Sequence, residues 1–409
     1  MSRPKPTAAI IGGGPAGLMA AEMLAKAGVD VTLYERKAAL ARKFLMAGRG
    51  GLNLTHSENF AAFMTRYGTA AEKLRPAITH FTPDDLRAWC EGLGQPTFTG
   101  TSGRVFPKSL KASPVLRAWQ IRLAELQVTF AFKRDWMGWD DRGHLLFTRE
   151  DGTTETAAPD ITILALGGAS WPRLGADGGW ADVLQKKGVT ITPFAPANCG
   201  FTVAWSDVFS TRHAGAPVKP LALSLNGTTV RGEAMITTKG IEGGAVYALS
   251  TPLRRAIDAD GHATLTLDLK PDMDTSVLAK ALNKPRGTLS FSNFLRRQAG
   301  LSPVAIALLR ETYSGDITQI SAVQLAAHIK TAPLRTNGTF GLDRAISSAG
   351  GIALDDVDDT FMIKKLPTVY AIGEMLDWEA PTGGYLLQAC FSTAAWAARA
   401  IINRVKSNI

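Results

Sequence analysis

Cysteine is scarce in this sequence of 409 residues, which contains only Cys90, Cys199 and Cys390, far apart along the chain. So sparse a set excludes a disulfide framework, a C-x-x-C redox pair and a cysteine-rich zinc site. It is typical of proteins from a reducing compartment, so a cytoplasmic location is expected.

Long apolar runs are absent as well. No stretch offers the ~18 consecutive apolar residues of a membrane-spanning helix, so we expect no membrane partner. The apolar run near the amino terminus stops at Gly12, which is too early for the core of a signal peptide. The six histidines show no metal-ligand spacing, so no metal is expected.

The composition, 45% hydrophobic and 20% charged, is that of a folded globular protein, and the length predicts two or three domains. Lys and Arg exceed Asp and Glu by nine, and the excess is concentrated between residues 277 and 335, where eight basic residues face two acidic ones. No aromatic-interleaved basic motif occurs there. A solvated basic surface, or attraction for an anionic cofactor, explains this block more simply than RNA binding does.

The first motif that carries chemistry lies between a predicted strand and a predicted helix. Residues 7–11 form an apolar strand that ends in the pattern G-x-G-x-x-G. Gly12 permits a tight turn, Gly14 lets the backbone approach a pyrophosphate, and Gly17 lets helix and strand pack closely. Glu35 ends the next strand and can accept hydrogen bonds from ribose hydroxyls. The motif predicts a dinucleotide site but does not separate FAD from NAD.

Two later segments favour FAD. Gly167 and Gly168 follow a second apolar strand at 161–166, and Gly373 and Glu374 follow a third near the carboxyl terminus. A flavin stretched across a parallel sheet would contact such distant segments, whereas an NAD domain needs none so late in the chain. A helix that begins after the last glycines would stabilise a reduced, anionic flavin with its amino terminus.

Four blocks of the sequence together resemble one family. They are the Gly12–Gly17 motif, Lys43–Thr55, Leu164–Pro172 and the tail from Gly373 to Gln388. In these blocks the chain resembles the BaiN/YhiN-type flavoproteins, often described as aminoacetone-oxidase-like, within the glutathione-reductase-like FAD superfamily.

The resemblance implies an α/β fold, with a Rossmann-like FAD-binding domain built on a parallel sheet from residues 1–192 and 336–409. A β-rich, barrel-like subdomain at 193–270 and a small helical subdomain at 271–335 would be inserted into it. The residue pattern changes near the same boundaries: apolar and polar residues alternate from about 193, and a helical pattern begins near 271. Asn226-Gly227 predicts a two-residue hairpin turn in the β-rich part.

Some positions depart from the family pattern. Gly51 and Leu52 stand where the family has Arg and Cys, although Asn53 is kept, so no role of that cysteine is carried over. Leu166 replaces a threonine at a strand end, and Lys239 replaces a histidine in the inserted part. These departures indicate a divergent branch whose substrate can differ.

The residues expected to hold the cofactor come from the motif blocks and from the end of the second strand. They are Gly12, Gly14, Pro15, Ala16, Gly17, Glu35, Arg36, Lys43, Gly48, Arg49, Gly50, Asn53, Gly167, Gly168, Gly373, Glu374, Gly384, Tyr385 and Leu386. Asp377, Tyr385 and His56 are candidates for moving a proton near the flavin, but the sequence identifies no catalytic residue.

The sequence therefore predicts an FAD-dependent oxidoreductase with non-covalently bound FAD. A hydride would pass between flavin N5 and a small organic substrate at the junction of the FAD domain and the insert. NAD(P)H and O2 remain open as redox partners, and so does the oligomeric state. Three alternatives stay open. They are a flavin-dependent RNA-binding or RNA-modifying protein, suggested by the basic block, a flavin-sensing regulator, and an NAD(P)H-dependent flavoprotein reductase.

Overall fold

The computed structural model of the protein describes residues 5–47 and 50–407, which form two compact units. The first contains the described residues up to Ala195 and from Ser347 onward, and the second is Pro196–Ile346.

The strands are β1 (Thr7–Ile11), β2 (Asp30–Glu35), β3 (Thr55–His56), β4 (Thr97–Thr99), β5 (Arg104–Pro107), β6 (Thr129–Phe132), β7 (Arg134–Trp139), β8 (Leu145–Arg149), β9 (Thr154–Ala157), β10 (Ile161–Leu164), β11 (Ile191–Ala197), β12 (Phe201–Thr202), β13 (Pro217–Leu225), β14 (Thr228–Thr237), β15 (Gly240–Glu242), β16 (Ala263–Asp268), β17 (Ala332–Thr336), β18 (Gly338–Thr339), β19 (Ser347–Ile352) and β20 (Val369–Ala371). The helices are α1 (Pro15–Lys26), α2 (Arg42–Ala47), α3 (Phe60–Thr65), α4 (Ala71–His80), α5 (Pro83–Gly92), α6 (Ala112–Glu125), α7 (Trp180–Lys186), α8 (Asp207–His213), α9 (Gly244–Tyr247), α10 (Ser250–Asp260), α11 (Thr275–Leu282), α12 (Phe291–Ala299), α13 (Pro303–Glu311), α14 (Ala322–Lys330) and α15 (Tyr385–Ser407).

The first unit is built on a five-stranded sheet in the order β20-β10-β1-β2-β6, and all four strand pairs are parallel. Helix α1 connects β1 to β2, which is the predicted crossover. Four of the five residues of β1 are buried, as expected for a central strand that is covered on both faces. The carboxyl ends of β1, β10 and β20 therefore meet at one edge of the sheet. The predicted α/β, Rossmann-like class is confirmed.

The second unit contains a seven-stranded sheet in the order β17-β16-β13-β14-β15-β12-β18. Its predicted hairpin is confirmed: Asn226 and Gly227 adopt φ values of +48° and +83°, and Leu225 pairs with Thr228 across the turn. Two successive positive φ values are the geometry that Asn-Gly favours.

Helices α11 to α14 share one hydrophobic core with this sheet, so the β-rich and helical segments form a single unit. The unit also continues to Ile346, beyond the boundary at 335 expected from the sequence. The reason is strand pairing, because β17 extends the sheet beside β16 and β18 pairs with β12. Within the described residues, no helix combines the length and apolar character needed to cross a membrane.

A buried carboxylate anchors helix α1, whose amino terminus carries the glycine motif. Glu22 is 1% exposed, and it accepts hydrogen bonds from Lys26 at 2.5 Å, Trp89 Nε1 at 3.0 Å and Arg122 at 3.1 Å. Trp89 lies on α5 and Arg122 on α6, so this one side chain ties three helices together. Burial alone would raise the pKa of Glu22, but its three donors outweigh burial and lower it.

We expect Glu22→Gln to destabilise the protein by about 2 kcal/mol at pH 7, because it removes a charged acceptor from buried donors. Since the folded-state pKa is lowered, the contribution of Glu22 is present above the ordinary glutamate pKa and is lost as the pH falls through the folded-state value. Urea unfolding at pH 7 and near pH 4 measures this, and the difference between the two proteins should shrink at the lower pH. Glu150→Gln, in an exposed ion pair with Lys133, is the control and should change little. An undiminished difference at low pH would contradict the assignment.

Candidate functional site

Two glycines of the first motif are required by close backbone contacts. Gly12 has φ +109°, and a Cβ there would lie 2.3 Å from the carbonyl oxygen of Ala165. A Cβ on Gly17 would lie 2.0 Å from the carbonyl oxygen of Gly12. Both distances are far below van der Waals contact, so β1, β10 and α1 can pack this closely only with glycine at these positions.

Gly14 differs from its neighbours because it faces open space. Its φ of −81° suits any residue, and nothing lies within 4 Å of the position where its Cβ would be. It is the N-cap of α1 and is followed by Pro15, and no side chain caps the helix. The free N–H groups and the positive end of the helix dipole therefore face this space, which is the environment that a phosphate requires.

Glu35 lies at the end of β2, as predicted, and its carboxylate supports the glycine turn. Its Oε2 accepts from the Gly13 amide at 2.9 Å and its Oε1 from the Lys37 amide at 2.8 Å. A carboxylate oxygen can accept more than one hydrogen bond, so Glu35 can still take a hydroxyl donor.

The tail of the chain reaches the amino-terminal motif. A Cβ on Gly373 would lie 3.0 Å from the Cβ of Ala16 and 3.6 Å from Cys390 Sγ. Its amide donates to Thr393 at 3.0 Å, and its carbonyl accepts from Trp378 Nε1 at 2.8 Å. The first and last glycine segments are thus neighbours in space, although about 360 residues separate Gly12 from Gly373 in sequence.

The middle glycine segment completes the convergence. Gly167 has φ +75°, and its carbonyl accepts from Trp180 Nε1 at 2.9 Å. A Cβ on Gly168 would lie 2.1 Å from Ser348 Oγ, which accepts from the Ala169 amide at 2.9 Å. Ser348 therefore occupies the space that a side chain at 168 would need.

Lys43 joins the second block to the tail. Its Nζ donates to Ser170 Oγ at 2.7 Å and to Glu374 Oε2 at 2.9 Å. The Lys43 and Glu374 side chains are 26% and 15% exposed, so the pair is partly shielded from water. Because Glu374 balances the charge of Lys43, the pair links the second block to the tail without adding net charge to the adjoining space.

The three turns border one depression, which we call the glycine groove. The predicted residues that line it are Gly12, Gly14, Pro15, Ala16, Glu35, Arg36, Lys43, Gly167, Gly373 and Glu374. Gly17 lies behind it in the packing of α1. Among the other predicted residues, Gly50, Asn53, Gly168, Gly384, Tyr385 and Leu386 do not line the groove, whereas Gly48 and Arg49 lie outside the described residues.

Sequence reasoning missed part of the groove wall. Tyr34, Arg134, Asp135 and Trp136 also line it. Trp136 is 6% exposed, and its buried Nε1 has no hydrogen-bond partner among the described residues. The buried Nε of Arg36 is equally without a partner, although its NH1 pairs with Asp177 at 2.8 Å. Two buried donors in the wall of one groove would be satisfied by a ligand that carries acceptors.

The thiol of Cys390 also lines the groove. Burial raises its pKa, so the thiol stays protonated and unreactive. Nothing in the sequence distinguishes this cysteine from an ordinary core residue on α15.

The second block and the tail form a separate cluster. A Cβ on Gly384 would lie 2.5 Å from the backbone of Thr55, so these two segments touch. The hydroxyl of Tyr385 donates to Glu58 at 2.5 Å, and Glu58 also accepts from Arg66 at 2.6 Å and 3.0 Å. The guanidinium of Arg66 lies 5.9 Å from the centre of the Tyr385 ring.

This cluster fixes the charge of each member. The hydrogen bond from Arg66 lowers the pKa of Glu58, and the same bond raises the pKa of Arg66. Burial raises the pKa of Tyr385, and Glu58 raises it further. Tyr385 therefore keeps its phenolic proton at neutral pH and is not a base.

The other two acid–base candidates are placed differently. His56 stacks on Tyr385 with ring centres 5.4 Å apart, and both of its nitrogens are engaged. Nδ1 accepts from the Glu58 amide at 3.1 Å, and Nε2 faces the Ser102 carbonyl at 3.0 Å, which assigns the neutral tautomer with the proton on Nε2. Asp377 is half-buried, and its amide donates to Ile352 at 2.8 Å. Across the described part of the chain, no group of His, Cys, Asp and Glu could hold a metal ion.

With this geometry established, the chain can be compared with known proteins. The family model described as HI0933-like protein Rossmann domain matches residues 6–400. The chain is 26% identical over 413 residues to the 3-dehydro-bile acid delta(4,6)-reductase of Clostridium scindens, an alignment that covers 97% of this chain and 98% of that one. It is 25% identical over 414 residues to the ribosomal RNA dihydrouridine synthase of Escherichia coli, with coverage of 98% and 99%.

Among solved structures, 3-ketosteroid delta1-dehydrogenase from Sterolibacterium denitrificans is similar with a TM-score of 0.52 and 11% identity. The match covers 98% of this chain and 100% of that one. At this level of identity the likeness concerns the fold alone.

The glycine groove predicts different outcomes for two similar substitutions. Gly14→Ala should fold normally but weaken dinucleotide binding by about tenfold or more, because its methyl group enters the open space at the helix terminus. Gly17→Ala should lower the melting temperature, because its methyl group meets the Gly12 carbonyl. Calorimetric titration with FAD and with ADP, together with thermal melting, distinguishes the two effects.

The matched control is Gly244→Ala, since Gly244 in the second unit also has open space around its Cβ position. It should change neither affinity nor stability appreciably. Unaltered dinucleotide affinity in Gly14→Ala would mean that the phosphates bind elsewhere.

Proposed function

The chain belongs to the HI0933-like Rossmann-domain family of BaiN/YhiN-type flavoproteins, and on that premise we propose that it is an FAD-dependent oxidoreductase that binds FAD non-covalently. The observation that carries the proposal is the meeting of three glycine turns around one groove, with an uncapped helix terminus at Gly14. A cytoplasmic location is part of the same proposal.

The residues of the glycine groove fit FAD. Gly14 and the first turn of α1 would hold the pyrophosphate, and Glu35 would accept from a ribose hydroxyl. The unpartnered N–H groups of Arg36 and Trp136 are donors that a dinucleotide with many acceptors would satisfy. The helix terminus, the Glu35 carboxylate and these two donors thus have counterparts in such a ligand.

When bound, FAD supplies hydride transfer at N5 of its isoalloxazine ring. The side chains of this protein contribute charge and position. Lys43 Nζ, held between Glu374 and Ser170, fixes the second block against the tail at the edge of the groove. Tyr385 Oη retains its proton and is directed by Glu58, so it is a proton donor or a positioning residue rather than a base.

For the substrate, we propose a small organic molecule with a carbon–carbon double bond conjugated to a carbonyl. The support is the relative from Clostridium scindens, whose name states reduction of a 3-dehydro-bile acid and which matches over nearly the full length of both chains. The departures at Gly51, Leu52, Leu166 and Lys239 allow a different molecule of the same class.

A second candidate is the reduction of a base in RNA. The name of the relative from Escherichia coli states the synthesis of dihydrouridine in ribosomal RNA, and that protein matches this chain equally completely. Both candidate reactions consist of hydride and proton addition to a double bond conjugated to a carbonyl, so one flavin site serves either. We also propose NAD(P)H as the electron donor. The sequence contains no second G-x-G-x-x-G motif, so the nicotinamide nucleotide would bind without a motif of its own.

The cofactor proposal predicts that the purified protein is yellow and releases FAD, not FMN, when it is denatured by heat. Absorption spectra and mass spectrometry of the supernatant measure this, and Gly14→Ala should carry less flavin than Gly244→Ala. If the protein contains no flavin and does not bind added FAD, the proposal fails.

The redox proposal predicts that NADH or NADPH reduces the bound flavin under anaerobic conditions, as followed by stopped-flow absorbance. Mixing the reduced protein with a 3-oxo-4,6-diene bile acid should then reoxidise the flavin faster than buffer does. Faster reoxidation by a uridine-containing transcript, with dihydrouridine in the product, would select the second candidate instead. If neither compound accelerates reoxidation, both substrate classes are wrong.

A further inference from the structure

The second unit contains a stretch without acidic side chains. Residues 275–310 include no Asp or Glu, although acidic residues make up 36 of the 409 in the chain. All six cations of this stretch are exposed, and they are Lys280, Lys284, Arg286, Arg296, Arg297 and Arg310. We call residues 275–310, which comprise helices α11 and α12 and nearly all of α13, the basic segment.

The charge of the basic segment is uncompensated. Several cations elsewhere pair with carboxylates, as Arg66 does with Glu58 and Lys73 with Asp359. Lys330, in the next helix, pairs with Asp268 at 2.7 Å. No ion pair joins any of the six cations to a carboxylate within the ranges 5–47 and 50–407. The segment carries six of the nine charges by which the whole chain is positive.

Helix stability explains only part of this pattern. Four of the cations lie in or directly beside the last turns of α11, α12 and α13, where a positive charge favours the helix dipole. The same effect favours acidic residues in the first turns, yet none of these three helices has one there. Ser290 and Ser302 cap α12 and α13 with neutral hydroxyls, whereas Asp274 is the N-cap residue of α11. Between Asp274 and Glu311 the segment thus holds six exposed cations and no carboxylate, a charge that helix formation does not require and that a polyanionic partner would match.

The cations are carried on a well-packed support. Phe294 and Leu295 of α12 are buried in the core of the second unit, whereas Arg296 and Arg297 next to them are exposed. Arg310 lies with its guanidinium 5.7 Å from the Phe291 ring, which sets the end of α13 beside the start of α12. Arg310 therefore lies near the start of α12, and Arg296 and Arg297 lie in its last turn. A nine-residue helix is about 13 Å long, which sets the approximate distance between these two groups of cations.

We propose that the basic segment docks the phosphate backbone of structured RNA. Cations on folded helices that contact phosphates fix the position of a protein on RNA without reading its sequence. An anionic membrane is the less suitable partner, because surface helices that bind membranes expose large apolar side chains beside their cations. In the basic segment the large hydrophobic side chain that is exposed is Val277, and the others are at least partly buried.

This inference rests on the second candidate function, the reduction of a base in RNA, and adds an RNA-docking surface to it. Its test measures binding alone and involves no flavin chemistry. It can therefore fail while the redox proposal stands, and it can succeed even where a small molecule proves to be the substrate.

The experiment compares two variants of the full-length protein with equal change of net charge. One is Lys284→Glu/Arg296→Glu/Arg297→Glu in the basic segment, and the other is Lys111→Glu/Arg117→Glu/Lys186→Glu in the first unit. All six positions are exposed and in no ion pair among the residues described. Fluorescence anisotropy with a labelled fragment of bacterial ribosomal RNA measures affinity between about 50 and 200 mM salt.

We expect the unaltered protein to bind with an affinity that falls steeply with salt. The variant in the basic segment should bind about tenfold or more weakly, and its slope against salt should fall by about three, one for each cation that no longer neutralises a phosphate. The first-unit variant should keep most of the affinity. Flavin content and melting temperature check that both are folded, and a version with Gln at the three basic-segment positions replaces the Glu variant if that variant is unstable.

Three results would overturn the proposal. They are no RNA binding by the unaltered protein at about 100 mM salt, an equal fall in affinity in the two variants, and binding to phosphatidylserine vesicles without binding to RNA. The second result would show attraction by total charge rather than docking on this segment, and the third would identify a membrane as the partner.

Discussion

Close backbone approach at the carboxyl ends of neighbouring parallel strands is the constraint on which the first unit depends. With β1, β10 and β20 side by side, the chain must turn after each strand in a space shared by all three. A single methyl group at Gly12 or Gly17 would meet a carbonyl oxygen at 2.3 Å or 2.0 Å. Only glycine therefore fits at these two positions. Because the turns carry no side chains there, an open groove is left beside them.

This constraint also explains which predictions from the sequence were correct. A turn that needs glycine is specified locally, so the strand, the G-x-G-x-x-G motif and the helix of the first crossover could be predicted from residues 7–35 alone. The Asn226-Gly227 hairpin was predictable for the same reason, since both residues adopt positive φ. The glycines at 167 and 373 were linked to the first motif because each follows an apolar strand, and the family resemblance then supported that link.

The features that sequence reasoning missed depend on long-range packing. Trp136 lines the groove because β6 joins the central sheet beside β2 and the chain then continues into β7. The bonds from Lys43 to Glu374 and from Tyr385 to Glu58 span 331 and 327 residues. Long-range pairing also explains why the second unit ends at Ile346 rather than at 335. Strands β17 and β18 belong to its sheet only through their partners β16 and β12. No periodicity within these segments reveals such pairings.

The distribution of charge in the structure distinguishes cations that serve the cofactor site from cations available to an external partner. An excess of nine positive charges was first explained by a solvated surface or by attraction for an anionic cofactor. In the glycine groove, however, Arg36 is paired with Asp177, Lys43 with Glu374 and Arg134 with Glu155, so three of its four cations are balanced by carboxylates. The space at Gly14 is electropositive because of free backbone N–H groups and a helix terminus, which need no surface lysines. The six cations of the basic segment are unbalanced, and exposed ion pairs are worth at most about 1 kcal/mol each, so folding gains little from them or from the lack of acids around them. A charge pattern that neither the cofactor site nor the fold requires is best explained by a partner outside the chain.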